Sequence, residues 1–129
     1  CAARWAMMGA AKRILVIDDD RDTLELLQIL LEAEGHEVVT LASGEGAVEQ
    51  LRRLAPDLVL LDVVMRPYHG LDVLRDLRAV APEVPVVLLS GLVRQGEDMR
   101  EVARLLGAQD FLEKPFDAQQ LFAVIDRVL

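Results

Sequence analysis

One cysteine in 129 residues, Cys1 at the extreme terminus, leaves no material for a disulfide framework, and a reducing cytoplasm is expected. No apolar run approaches the ~20 residues that a membrane-spanning helix needs, so no membrane contact is expected. The stretch 1–11 is too short and too weakly apolar for a signal peptide and reads as an N-terminal extension. Met7 or Met8 is the expected native start, with Cys1 to Ala6 an added or alternative beginning. Aromatic residues are only 4% against 53% hydrophobic residues, which predicts an aliphatic interior of the kind parallel sheets have. Basic residues are outnumbered, 14 Lys and Arg against 22 Asp and Glu, for a net charge of -8 and a pI near 4.7. Affinity for a phosphate backbone comes from clustered Lys and Arg, so direct nucleic-acid binding is not expected, and a basic partner surface or a metal is. Repeats, linkers and low-complexity tracts are missing as well, and the length fits one domain with a proper core.

What is present is an alternation of short apolar runs with helical stripes. Arg13 to Ile17 reads as a buried strand. Asp22 to Glu34 carries Leu24, Leu27 and Leu31 at helical spacing and ends at Gly35. Glu37 to Leu41 is a second, less apolar strand, expected nearer an edge. Ser43 is expected to start a helix with Ala47, Val48, Leu51 and Leu54 on one stripe, before Pro56. Leu58 to Leu61 is the most apolar strand, followed by a helix marked by Leu71, Leu74, Leu77 and Val80. Val84 to Leu89 is a fourth strand with Pro85 tolerated at its start. Met99, Val102, Leu105 and Leu106 mark a helix ending at Gly107, and Phe111-Leu112 is a brief fifth strand. Asp117 with Gln120 forms a capping box for the last helix, with Phe116 and Leu121 as its hydrophobic staple. Five β–α alternations with right-handed crossovers predict an α/β fold. It is a doubly wound parallel sheet of five strands in the order 2-1-3-4-5, with helices on both faces.

Site chemistry follows four of the apolar runs: Asp18, Asp19 and Asp20 after the first, Asp62 after the third, Ser90 after the fourth and Lys114-Pro115 after the fifth. The carboxyl ends of parallel strands share one edge, so these groups converge. Crowded carboxylates repel unless a cation sits among them, which reads as a hard-metal and phosphoryl site. Weighed singly, the aspartate run is also a helix-capping turn, Asp62 a loop carboxylate and Lys114 a surface lysine; Asp20 reads as a cap rather than a ligand.

The set ILVIDDD, LVLLD with its loop to Gly70, LLSG and FLEKPF resembles the receiver domain of two-component response regulators, from Lys12 to Leu129. The resemblance implies a flavodoxin-like receiver fold in which Asp62 is the phosphoacceptor. It further implies that Asp18, Asp19, Asp62 and the backbone carbonyl of Val64 hold Mg²⁺, or Mn²⁺ as a substitute. Lys114 would pair with the phosphoryl oxygens, Pro115 would follow a cis bond, and Ser90 and Phe111 would form the switch. It implies a signalling phosphoacceptor rather than an enzyme with turnover, a histidine kinase or phosphotransfer protein as donor, and a homodimer or a fused output domain as open partners.

Departures accompany the match. Arg66 stands where the family usually has proline, with Pro67 after it, which shifts the turn chemistry. Arg66 reads as a solvated loop residue or a neighbour of the phosphoryl group, and His69 as a cap or surface residue. Gly91 suits a close backbone approach, and Arg94, Arg100 and Arg104 read as a solvated or partner-facing row. By the resemblance, Val64 and Leu92 flank the approach of hydrolytic water. Neither side chain orients water by hydrogen bonding, so slow loss of the phosphoryl group is expected, and Val64→Asn should quicken it. Three other readings are weaker. An aspartyl phosphatase would want an acid where Val64 stands, and a flavin domain would not place DDDRD in its phosphate loop. A degenerate receiver acting only through protein contacts is disfavoured by the complete site. Trp5 lies in the extension, where its fluorescence would report binding poorly.

Overall fold

The computed structural model describes residues 11–65, 69–91 and 98–129. The readings placed on Trp5, Arg66, Pro67, Leu92 and Arg94 lie outside these described residues. The elements alternate strictly: β1 (Arg13–Ile17), α1 (Arg21–Ala33), β2 (Glu37–Leu41), α2 (Ala47–Leu54), β3 (Leu58–Asp62), α3 (Gly70–Val80), β4 (Val86–Ser90), α4 (Met99–Leu105), β5 (Asp110–Glu113) and α5 (Ala118–Val128). All four strand pairings are parallel, in the order β2-β1-β3-β4-β5, as expected from the crossover rules.

Alternation along each strand sends side chains to opposite faces. Leu15, Ile17, Val59, Leu61 and Leu88 pack with α2, α3 and α4. Ile14, Val16, Leu58, Leu60, Val87 and Leu89 pack with the apolar stripes of α1 and α5, among them Leu24, Leu27, Leu31, Leu121 and Ile125. Strands β3 and β4 are buried along their whole length, so the aspartate and serine that end them are carried into the interior.

Two boundaries lie two or more residues from the sequence expectation. The helix expected from Ser43 begins at Ala47, because the preceding residues form a turn of their own. Ser43 Oγ accepts the Glu45 N–H, Gly44 O accepts the Ala47 N–H, and Gly46 takes φ 79 before the helix. The fourth strand begins at Val86 rather than Val84. Val84 gives its N–H to Ala81 in a turn, and Pro85 has none to give to a ladder. The capping box of Asp117 and Gln120 forms as the spacing predicts.

Two arginine arrangements brace the periphery. Asp110, 5% exposed at the start of β5, receives Arg127 Nε at 2.9 Å from α5 and Arg100 Nε at 3.4 Å from α4. Before the amino ends of β4 and β5, the Arg78 guanidinium donates to the backbone carbonyls of Ala81, Pro82, Val84 and Gly107.

Candidate functional site

Each site residue stands where a strand runs out. Asp18 follows β1 and is fully buried, with its N–H on Leu41 O at 3.0 Å. Its Oδ1 accepts the Asp20 N–H at 2.9 Å, and its Oδ2 accepts Lys114 Nζ at 2.6 Å. Asp62, the last residue of β3, is 4% exposed. Its Oδ1 accepts the Val64 N–H at 3.2 Å, and its Oδ2 lies 3.6 Å from Lys114 Nζ. Lys114 leaves β5 beside the end of β4, its N–H on Ser90 O at 2.8 Å, and its bond to Pro115 is cis. Asp19 is exposed at the mouth.

The structure thus brings Asp18, Asp19, Asp62 and Lys114 together, with Ser90 buried at the neighbouring strand end. Val64 lies two residues beyond Asp62 with its side chain exposed. Phe111 is packed into the face covered by α4, so any switch involving its ring starts from a largely buried position. Asp20 caps α1, as its position predicts, and His69 caps α3, its Nδ1 accepting the Leu71 N–H at 3.2 Å.

The electrostatics are those of a site short of positive charge. Burial, and then the Asp18 carboxylate, push the Asp62 carboxyl up to about 6, while Lys114 pulls the other way. Burial works against the Lys114 charge, yet the hydrogen bond and charge of Asp18, then Asp62 and Asp20, hold it above the ordinary lysine range. One carboxylate oxygen from each of Asp18, Asp19 and Asp62 lies within 4.8 Å of the others. An all-oxygen, anionic donor set of this kind fits a hard divalent cation such as Mg²⁺.

A stability prediction follows from Asp62. Its raised folded-state value means that the fold favours the neutral acid. The group therefore contributes fully below pH ~4, and that contribution is lost as pH rises through about 6. Asp62→Asn is expected to stabilise the metal-free protein by about 2 kcal/mol at pH 7, with the gain shrinking towards pH 4. Urea unfolding of both chains in EDTA measures this, and equal midpoints at pH 7 would refute it.

Two groups at the site escaped the sequence reading. Thr23, in the first turn of α1, donates its hydroxyl to Asp20 Oδ2 at 2.9 Å. Gly70 sits so close beneath the site that a Cβ there would lie 2.1 Å from Asp62 O. The only sequence signal for Gly70 was its place at the end of the Asp62 loop.

Comparison with known proteins bears directly on this geometry. The family model for the response regulator receiver domain matches residues 14–126. The transcriptional regulatory protein CpxR homolog of Haemophilus influenzae is 42% identical over 118 residues, 91% of this chain and 50% of that protein. The DNA-binding response regulator MtrA of Mycolicibacterium paratuberculosis is 40% identical over 114 residues, 87% of this chain and 48% of its own length. The crystal structure of the receiver domain of NtrX from Brucella abortus superposes with a TM-score of 0.80 at 37% identity, covering 90% of this chain and 97% of that one. The chain spans about half the length of the curated relatives it matches.

These names correct one expectation. Direct nucleic-acid binding was set aside on the net charge of -8, yet the relatives are transcriptional regulators, one of them DNA-binding by name. The charge of a segment half their length sets no bound on what such proteins contact. No helix among the described residues is long and apolar enough to cross a membrane.

Proposed function

The chain belongs to the response regulator receiver domain family of two-component signal transduction, and on that premise we propose that it stores a signal as a phosphoryl group on Asp62. The receiver unit runs from residue 12 to residue 129. The observation that carries the reading is the Asp18–Lys114–Asp62 arrangement, two buried carboxylates bridged by one ammonium at adjoining strand ends.

An Asp62 Oδ atom attacks phosphorus, a P–O bond forms, and the bond to the donor's leaving group breaks with its electron pair. The product is an acyl phosphate. Asp18, Asp19, Asp62 and the carbonyl of Val64 would hold Mg²⁺, with Mn²⁺ as a substitute. The bound cation supplies neutralisation of charge on the carboxylates and phosphoryl oxygens. Lys114 provides the second cationic partner for those oxygens, and burial strengthens its pull. The Ser90 hydroxyl turns towards the phosphoryl group, and Phe111 shifts within its packed face as α4 adjusts. Phosphoryl loss is slow because Val64 offers attacking water no hydrogen bond, so the domain is a phosphoacceptor and not an enzyme with turnover.

Intact mass after incubation with acetyl phosphate and Mg²⁺ tests this. One phosphoryl adduct is expected on the parent chain, none on Asp62→Asn, and none when EDTA precedes the donor. An adduct on Asp62→Asn would move the acceptor elsewhere. Absence of both adduct and Mg²⁺ binding would favour a receiver that works through protein contacts alone.

A further inference from the structure

We propose that Thr23 and Asp20 act as a positioning pair for the metal site, holding Asp18 in its binding orientation while keeping the third carboxylate of the Asp18-Asp19-Asp20 run out of it. This inference rests on the metal reading above and adds the question of which residues shape the site.

The chain of contacts runs from α1 into the cluster. The Thr23 hydroxyl donates to Asp20 Oδ2 at 2.9 Å, and Asp20 Oδ1 accepts the Asp22 N–H at 3.1 Å. Both oxygens of the Asp20 carboxylate are therefore committed to the first turn of the helix. Asp20 O accepts the Leu24 N–H at 3.1 Å, which fixes the peptide plane that follows the residue. With side chain and carbonyl both held, the Asp20 N–H points at Asp18 Oδ1, 2.9 Å away. Lys114 Nζ takes the other Asp18 oxygen, so each oxygen of this fully buried carboxylate has a donor and the group has one orientation.

The same contacts explain why three consecutive aspartates serve two purposes. Asp18 and Asp19 contribute oxygens to the cluster with Asp62, and Asp20 is absent from that cluster. The Thr23 hydroxyl and the Asp22 N–H hold the Asp20 carboxylate on the helix as its cap. Were it to swing inwards, a fourth negative charge would join a site with one lysine. Groups that orient metal-bound carboxylates commonly change affinity when removed, although they never touch the ion.

Thr23→Val keeps the side-chain shape and removes the donor, and Thr23→Ser restores it. Isothermal titration with Mg²⁺ at a temperature where all chains are folded by circular dichroism is expected to show roughly fivefold weaker binding for Thr23→Val. Thr23→Ser should return to within about twofold of the parent. A stability role alone would lower the melting temperature of Thr23→Val without moving the affinity of the folded protein, and that result would overturn the inference. So would a Thr23→Ser chain as weak as Thr23→Val. A parent chain that takes up no Mg²⁺ would overturn the metal reading itself and this inference with it.

Discussion

Gly70→Ala is expected to cost the fold about 3–4 kcal/mol, beyond the usual range for an overpacked position. An alanine inside a helix normally gains ~1 kcal/mol over glycine, so the sign here is set by the surroundings. The added methyl would lie 2.1 Å from Asp62 O and 2.7 Å from both Cα and O of Val63. All three atoms are backbone, and none can rotate away as a side-chain tip would. The Gly70 N–H also donates to Val63 O at 3.1 Å, which ties the start of α3 directly to the end of β3. Relief therefore requires α3 to lift from the strand that carries Asp62. Denaturant unfolding should show the loss, and acetyl-phosphate labelling under native conditions should slow, because the proposed phosphoacceptor Asp62 moves with its strand end. An alanine variant as stable as the parent would show that this junction has slack.

Lys114→Met is expected to cost about 3 kcal/mol in EDTA, because it leaves a buried charge without its partner. Asp18 is fully buried and holds Lys114 Nζ at 2.6 Å, with Asp62 3.6 Å from the same nitrogen. Without the ammonium, two carboxylates face each other in the interior and must either stay strained or take up a proton. The deficit should accordingly shrink as pH falls, and it should shrink when Mg²⁺ is added at neutral pH. Adding Asp18→Asn to Lys114→Met should recover much of the loss, since the unpaired charge is gone. Unfolding curves for the single and double variants give the comparison, and a deficit equal in both would assign the cost to lost lysine packing instead.

These expectations show where the chain was readable. Strand β1 runs over the residues its apolar pattern marked, and Asp117 with Gln120 forms its capping box, because both signals are local. Strand order followed from the alternation of elements and the handedness of crossovers. Asp18, Asp62, Ser90 and Lys114 stood out because each interrupts or ends an apolar run, where a polar residue has few structural uses. The start of α2 was misread because Ser43 is a good capping type, while the two glycines after it favour a turn. The contacts that rank the groups in the site were hidden. That Lys114 sits closer to Asp18 than to Asp62 depends on residues 96 positions apart. Thr23 was hidden for a different reason: a half-buried threonine on a helix has no pattern that separates it from its neighbours.

Arg78 gives the molecule a handle, in the sense that a tuning fork has one. Its four acceptors are main-chain oxygens, which neither titrate nor depend on the identity of the side chains around them. They join the end of α3, the approach to β4 and the turn before β5 at the edge of the sheet remote from Asp62. A charge placed on the carboxyl ends of the strands therefore acts on a body gripped at its far end. If Asp62 takes up the proposed phosphoryl group, that charge arrives at the end of β3 remote from the Arg78 contacts, none of whose acceptors titrates.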